Sequence, residues 1–394
     1  MADEKTIPWK VIDKFITGLA TDVEHDIRVQ REAIPLVFVP GIMGTCLRLK
    51  GTDGTGKTGK LPNLRWDPSH PKTWMLPNMA GASGSKRKKY LVGPHFDSNL
   101  LEPNDSKPPG DGFIAILQDY CDHFLIPLKT HDWGPLSKIF EFPVYAVGYN
   151  WTDSAANSGK KLAARISEII AEAKSTVGLC EKVILLSHSM GGLVCRAASE
   201  LSGAASSILG IVHVVQPATG TPAAYWRMKA GFEGPSIPSS VLGNSARAVT
   251  PVLGNIPGGL QLLPNKLHRT NKGTREWLTV TEGGKPVHAF PRSDPNNESD
   301  PYKQIYRVKA VVKPADGVKP SNNAYWALVD PDLLDPDYQP PAKPPNARDQ
   351  VVGAKLPPDP WSDYIAQLRI AEDFHSTLGP VSYTHLTLPT IYSV

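Results

Sequence analysis

The chain has 394 residues, of which 41% are hydrophobic and 20% charged, and its formal net charge is +4. This length allows one enlarged domain or a core with an insertion, and the composition is that of a globular protein. The charge is too small to indicate nucleic-acid binding and the four cysteines lack metal-ligand spacing, so we expect no nucleic acid, metal or other cofactor.

The first 34 residues are predicted to form an N-terminal helical extension, because Val11, Phe15 and Leu19 recur at helical spacing. Residues 1–30 carry charged side chains and have no long apolar run. They therefore predict neither a signal peptide nor a membrane span. We expect a protein that is cytoplasmic, or one that is exported without an N-terminal signal peptide.

Strands and helices alternate in the pattern of residues 35–216. Strands are predicted at the apolar runs 35–40, 143–149, 183–188 and 208–215, and helices at 158–175 and directly after Ser189. The helix at 158–175 is expected to have Asn157 or Ser158 as its N-cap. This alternation predicts an α/β fold with a doubly wound, mostly parallel sheet. Residues 51–112, rich in Gly, Pro, Lys and Asn, predict a loop-rich excursion from this core.

The regular pattern weakens after residue 216. Residues 217–360 are rich in glycine and proline, and we expect them to form a large cap or lid over the sheet. A helix at 361–380 is expected to return to the core. Residues 381–394 contain no Lys, Arg, Asp or Glu and resemble a translated sequencing-adapter read, so we expect them to be a non-native tail.

A nucleophile elbow is predicted where the apolar run at 183–188 ends in Ser-x-Ser-x-Gly-Gly. A strand, a tight turn of small residues and a helix together expose a serine hydroxyl on a strained turn. Ser189 is the predicted nucleophile, and Ser187 stands where the usual Gly-x-Ser-x-Gly motif has its first glycine. The alternative is a serine in an ordinary strand–helix turn.

The oxyanion hole of such a site consists of two backbone N–H groups. One follows the nucleophile, which is the position of Met190, and the other comes from a loop after an early strand. Residues 39–45, Val-Pro-Gly-Ile-Met-Gly-Thr, fit that loop, with Ile42 as the predicted donor and Met43 as the alternative. A plain glycine turn without catalytic function is the other interpretation.

These segments resemble the lecithin:cholesterol acyltransferase-like branch of the α/β-hydrolase lipases. The resemblance rests on residues 39–45, on Val-Gly-Tyr-Asn-Trp at 147–151, on Ser-His-Ser-Met-Gly-Gly-Leu-Val at 187–194 and on the Gly-Thr-Pro segment that ends at Pro222. The chain is also similar to bacterial antibacterial lipases that are secreted without signal peptides. The resemblance implies an α/β-hydrolase fold and hydrolysis of carboxylic esters, with lipid or phospholipid esters as substrates.

The family also implies a triad acid and histidine late in the chain. Asp316, after a strand-like run, and His375, inside a predicted helix, are the candidates. We expect instead that the acid and the histidine were both lost with the natural C-terminus, and that His375 is a structural helix residue. His188 and His213 are expected to pack or to line the pocket.

Several alternatives stay open at this point. Acyl transfer to an alcohol on the same fold, or a hydrolase-like binding module with an incomplete triad, would fit the same motifs. Residues 51–58 match the phosphate-loop pattern Gly-x4-Gly-Lys-Thr, which by itself would indicate a nucleotide-binding protein. The sequence after it does not favour the required helix, so we expect a hairpin tip. The basic run at 86–89 predicts a solvated loop, or contact with anionic lipid at a membrane surface. The sequence does not indicate an oligomeric state.

Overall fold

A computed structural model describes residues 31–49, 65–66, 81–92, 101–103, 113–234, 242–293, 299–310, 324–339 and 359–379. Residues 1–30 of the predicted N-terminal helical extension, the phosphate-loop-like segment, Asp316 and the tail lie outside the described residues.

The strands are β1 (Glu32–Ala33), β2 (Leu36–Val39), β3 (Leu47–Leu49), β4 (Arg65–Trp66), β5 (Leu101–Pro103), β6 (Phe113–Ile114), β7 (Phe140–Glu141), β8 (Val144–Val147), β9 (Val183–His188), β10 (Ile208–Val214), β11 (Leu278–Glu282) and β12 (Lys285–Phe290). The α-helices are α1 (Gly84–Leu91), α2 (Gln118–Tyr120), α3 (Ile126–Lys129), α4 (Ala155–Val177), α5 (Gly191–Arg196), α6 (Pro222–Ala230), α7 (Ala246–Leu253), α8 (Pro257–Leu260) and α9 (Pro360–Leu378). Short π-helices cover Cys121–Leu125, Ala197–Leu201 and Tyr302–Tyr306, and 3₁₀ turns cover Gly134–Lys138, Ala205–Ser207 and Pro331–Leu333.

The central sheet is parallel, with its strands in the order β10–β9–β2–β8–β6. Val39 at the end of β2 pairs with Ser187 near the end of β9. This register brings the loop after β2 and the turn after β9 to the same edge of the sheet. The strand order and the helices around it confirm the predicted α/β fold with a mostly parallel sheet.

Strand β2 is buried on both faces, as a continuous apolar run predicts for a parallel strand. Val37 and Val39 contact the core cluster that includes residues of α4 and α5. Leu36 and Phe38 contact a second cluster with residues of the π-helix Cys121–Leu125. Helical segments therefore cover both faces of the sheet at the strand that leads into the candidate site.

Helix α4 buries one apolar face and begins earlier than predicted. Ser154, rather than Asn157 or Ser158, is its N-cap, and the Ser154 hydroxyl accepts a hydrogen bond from the Ala156 amide. The prediction was wrong because Ser154 already accepts from a free amide of the first turn. Asn157 and Ser158 then lie inside the helix. The helix ends at Val177, and Gly178, with a φ of 97°, is its C-cap.

The described residues between 217 and 360 share a core with the sheet. Val249, Leu260 and Phe290 belong to the same buried cluster as Leu185 and Met190. This region therefore packs against the parallel sheet rather than around a separate centre. Its function as a cap over the site stays a prediction.

The two charged segments of the excursion differ from each other. β3 and β4, which flank residues 51–58 in the sequence, pair antiparallel, as the two strands of a hairpin do. Residues 51–58 themselves lie outside the described residues. The basic run, expected in a loop, lies instead in α1, which Ser83 caps. Arg87 and Lys88 are buried, and the Lys88 ammonium lies 3.1 Å from the Asp335 carboxylate.

Only Lys86 and Lys89 of this run are exposed. Contact with anionic lipid, which stays a prediction, would therefore have two cations available here rather than four. No helix in the described ranges is both long and apolar enough to cross a membrane.

Candidate active site

Ser189 lies on the turn between β9 and α5, with a φ of 52°. The left-handed region is costly for a residue with a Cβ, and such strain persists where the surroundings fix the backbone. Here the Ser189 amide donates to the Val214 carbonyl at 2.9 Å, and the Ser189 carbonyl accepts from the Gly192 amide at 3.0 Å. The backbone thus has the strand–turn–helix form that a nucleophile elbow requires.

The loop after β2 lies directly beside this turn. A Cβ atom placed on Gly41 would lie 3.1 Å from the Ser189 Cβ and 2.9 Å from the His188 Nδ1. Both distances are shorter than ordinary carbon contacts, so position 41 has no room for a side chain. The absence of a side chain at Gly41 therefore permits the loop to approach the candidate nucleophile.

A tight turn shapes this loop. The Gly44 amide donates to the Gly41 carbonyl at 3.1 Å, and Met43 has a φ of 64°. Among the described residues, the backbone amides of Ile42, Met43 and Met190 make no hydrogen bond. Unpaired amides beside a serine are the groups that can donate to a developing oxyanion. The predicted donors, Ile42 and Met190, belong to this set.

Ser187 faces away from the turn, toward the neighbouring strand. Its hydroxyl lies 3.2 Å from the Val212 carbonyl and 2.8 Å from the His213 Nδ1. A carbonyl can only accept, so when the Ser187 hydroxyl donates to Val212, the His213 Nδ1–H donates to Ser187. The hydroxyl is therefore accommodated by β10, which explains how serine fits where the usual motif has glycine.

His188 contacts a tyrosine rather than Ser189. The Tyr120 hydroxyl lies 2.9 Å from the His188 Nδ1. Burial lowers the pKa of His188, so the neutral ring is favoured and its Nδ1 can accept the Tyr120 proton. The other nitrogen, Nε2, has no hydrogen-bond partner in the described part of the chain.

His375 is buried in α9 with both ring nitrogens occupied. The Tyr302 hydroxyl lies 2.6 Å from its Nδ1, and its Nε2 donates to the Gln261 carbonyl at 2.9 Å. Burial, the larger effect, lowers the pKa of His375 to about 4, against the opposing hydrogen bond to Gln261. The structure thus gives His375 structural partners, and no described histidine hydrogen-bonds to the Ser189 hydroxyl.

Three aromatic residues around the loop were not predicted to support the site. The Tyr149 hydroxyl donates to the Pro40 carbonyl, the Trp66 indole N–H donates to the Met43 carbonyl, and Tyr120 contacts His188. Tyr149 belongs to the Val-Gly-Tyr-Asn-Trp motif, which was the available signal. The next residue, Asn150, accepts hydrogen bonds from Thr152 and so shapes the turn after β8.

Within the described ranges, no group of three or more His, Cys, Asp or Glu side chains could hold a metal ion. The described site offers the Ser189 hydroxyl, backbone amides and the His188 imidazole.

Comparison with solved structures gives one informative similarity. The chain resembles Tle4 in the crystal structure of the Tle4–Tli4 complex, with a TM-score of 0.57 and 24% identity over 89% of this chain and 72% of that one. At this level of identity the similarity shows the fold, an α/β architecture like that of Tle4. No protein-family model matches the chain, and no curated protein sequence matches it.

Two structures of the Bacillus licheniformis lipase BlEst2 are also similar, at 12% identity. The form with its propeptide matches with a TM-score of 0.24 over 58% of this chain and 34% of that one. The mature form matches with a TM-score of 0.23 over 59% and 66%. These scores are too low to support an argument about this chain.

Proposed function

We propose that the protein is a serine hydrolase that cleaves carboxylic esters, with lipid or phospholipid esters as its substrates. The observation that carries this proposal is the position of Ser189. It has a left-handed backbone directly after β9. The amides of Ile42, Met43 and Met190, which have no hydrogen-bond partner among the described residues, belong to the two segments that meet there.

In the proposed reaction the Ser189 hydroxyl attacks the acyl carbonyl carbon. The carbonyl oxygen becomes an oxyanion and accepts hydrogen bonds from the Ile42 and Met190 amides, each worth about 3 kcal/mol in the transition state. The C–O bond to the alcohol then breaks, leaving an acyl-enzyme, which water hydrolyses to release the acid and restore Ser189. A general base is needed to accept the Ser189 proton, and the proposal assigns it to none of the described histidines.

Two observations support a lipid substrate. Val214 and Val215, beside the Ser189 turn at the end of β10, are 50% and 67% exposed. Exposed apolar side chains next to a site favour an apolar substrate. The structural neighbour Tle4 is a bacterial lipase effector, and the sequence motifs resemble those of lipases.

The test is covalent labelling with a fluorophosphonate probe. We expect the parent chain to be labelled and Ser189→Ala not to be, while Ser206→Ala, which changes an exposed serine, keeps the parent's labelling. Labelling of the parent requires a working base within these 394 residues, so it would overturn the expectation from the sequence that the triad histidine is missing. Release of fatty acid from phospholipid vesicles by the parent, and not by Ser189→Ala, would then establish the substrate class.

Other outcomes separate the alternatives. A folded parent that binds lipid without labelling would contradict hydrolysis and favour a binding module. An ester formed with an added alcohol in place of free acid would favour acyl transfer.

A further inference from the structure

Three aromatic side chains from three segments hold the backbone of residues 40–44. The Tyr149 hydroxyl donates to the Pro40 carbonyl at 3.0 Å, and the Trp66 Nε1–H donates to the Met43 carbonyl at 3.1 Å. The third, Tyr120, approaches from α2. Tyr149 and Trp66 are both buried; Tyr149 holds the start of the loop at Pro40, and Trp66 holds its end at Met43. Tyr120 also contacts His188, the residue before Ser189.

Tyr120 touches both parts of the candidate site. Its hydroxyl lies 2.9 Å from the His188 Nδ1. Burial raises the pKa of Tyr120, and the nearby Gly41 backbone opposes that effect. Its ring is also close to the loop, because the Tyr120 Cε2 would lie 3.0 Å from a Cβ placed on Gly44. One side chain therefore connects the loop after β2 with the residue that precedes Ser189.

The local backbone fixes Tyr120 in this place. The Leu117 amide donates to the Gly44 carbonyl at 3.3 Å, and the Tyr120 amide donates to the Leu117 carbonyl at 3.1 Å. The Tyr120 ring packs against Phe38 of β2 with ring centroids 5.1 Å apart. The Tyr120 ring thus contacts Phe38 of β2, and its hydroxyl contacts His188 of β9, at the edge of the sheet where the candidate site lies.

We propose that Tyr120 is a positioning residue that sets the distance between the Ile42 amide and Ser189. This inference rests on the proposed function, and it assigns Tyr120 no contact with the reacting atoms. An oxyanion exists only during the acyl-transfer steps, so a displaced amide donor weakens transition-state binding more than substrate binding. The expected signature is a lower kcat with a nearly unchanged KM.

The test compares Tyr120→Phe with Tyr145→Phe. Both changes delete one hydroxyl, but Tyr145 lies on β8, opposite Val37, and its hydroxyl makes no hydrogen bond among the described residues. We expect Tyr120→Phe to lower kcat about tenfold with KM within about twofold, a part of the loss seen when a whole oxyanion donor is removed. Tyr145→Phe should leave both values unchanged. Equal kcat values for the two variants would overturn the inference.

A double substitution tests whether Tyr120 influences kcat through its contact with His188. If Tyr120 acts through His188, Tyr120→Phe in a His188→Ala background should change kcat by less than about twofold. A tenfold loss in that background would overturn the part of the inference that involves His188.

A second measurement does not depend on activity. Hydrogen exchange of the peptide that contains the Gly44 amide should be faster in Tyr120→Phe than in the parent and unchanged in Tyr145→Phe, because the turn would open more often. A parent that is not labelled by fluorophosphonate would contradict the proposed function. The exchange experiment would still decide whether Tyr120 holds the loop, and unchanged exchange would overturn this inference alone.

Discussion

The part of the chain that the structure describes includes two tyrosine–histidine pairs that have the same local chemistry and different surroundings. At the sheet edge the Tyr120 hydroxyl lies 2.9 Å from the His188 Nδ1, and in α9 the Tyr302 hydroxyl lies 2.6 Å from the His375 Nδ1. The His375 Nε2 also donates to the Gln261 carbonyl. The His188 Nε2 has no such partner within the described ranges.

This difference separates a structural histidine from one that can take part in a site. His375 has both nitrogens occupied, and burial disfavours its charged, protonated form. His188 is half-buried, lies next to Ser189 and keeps one nitrogen available. The hydrogen bond to tyrosine does not by itself distinguish the two histidines. They differ in whether the second ring nitrogen, Nε2, has a partner among the described residues.

The largest expected effect on labelling comes from Gly41, the glycine that lies against His188 of the Tyr120–His188 pair. Gly41→Ala would place a methyl group against His188 and Ser189, so the loop would have to move away from the turn. We expect the fluorophosphonate labelling rate to fall by about 100-fold or more, as for loss of an oxyanion donor. Gly210→Ala, where a Cβ meets nothing within 4 Å, is the matched control. Equal rates for both variants would contradict the proposed geometry.

The pH dependence of stability tests the buried pair. The pKa of His375 is about 4 in the folded protein and near 6.5 in the unfolded chain. Between these values the unfolded chain binds a proton that the folded protein does not, so stability is full above pH 6.5 and falls as the pH decreases toward 4. The total loss should be about 3 kcal/mol.

Urea unfolding across this pH range measures that loss. His375→Gln cannot titrate there and should have a flatter stability profile than the parent. A variant whose profile is as steep as that of the parent would show that other groups cause the pH dependence.

Removing the two tyrosine hydroxyls should have unequal effects on stability. Tyr302→Phe leaves the buried His375 Nδ1 without a donor, and we expect a loss of about 2 kcal/mol. Tyr120→Phe leaves the half-buried His188 Nδ1 near solvent, so the loss should stay below about 1 kcal/mol. Urea unfolding of both variants at neutral pH checks the difference, and equal losses would remove the distinction between the pairs.

The smallest expected effect on labelling comes from Ser187, whose hydroxyl lies 2.8 Å from the Nδ1 of a third histidine, His213. Ser187→Gly restores the usual motif and removes the hydroxyl that contacts His213 and Val212. We expect a loss of about 1 kcal/mol in stability, because glycine weakens a strand interior, and a labelling rate within about twofold of the parent's. A tenfold slower rate would instead place the Ser187–His213 contact in the site.

The sheet and the elbow could be predicted because their signals are local. The apolar runs at β2, β9 and β10 and the small residues around Ser189 are adjacent in sequence, and the structure has strands and a strained turn there. The Tyr120–His188 contact joins residues 68 positions apart and has no pattern around Tyr120. Such contacts depend on packing, which one sequence does not reveal.

Helix α1 shows the same limit for charged residues. Four consecutive cations predicted a solvated loop, yet Ser83 caps a helix there and Lys88 is buried against Asp335, 247 positions later. A partner so distant in sequence gives no local signal. The predicted start of α4 was wrong for a simpler reason. Ser154, Asn157 and Ser158 are all residue types that can act as N-cap, and only the structure shows which one does.

The buried Arg196 of α5 has a consequence for the order in which the protein is built. Its guanidinium donates to the Leu378 and Gly379 carbonyls at the end of α9, at 3.2 and 3.3 Å, across 182 and 183 positions of sequence. Glu200, one turn later, also accepts from this guanidinium at 3.0 Å, and the two carbonyls at the end of α9 complete its set of acceptors. Because a buried polar group with an unfilled hydrogen bond is costly, α5 is fully stabilised only after α9 has docked. During synthesis on the ribosome, the Ser189 turn would therefore emerge long before its supporting helix is complete. The turn that carries Ser189 would therefore reach its final stability only after synthesis has passed residue 379.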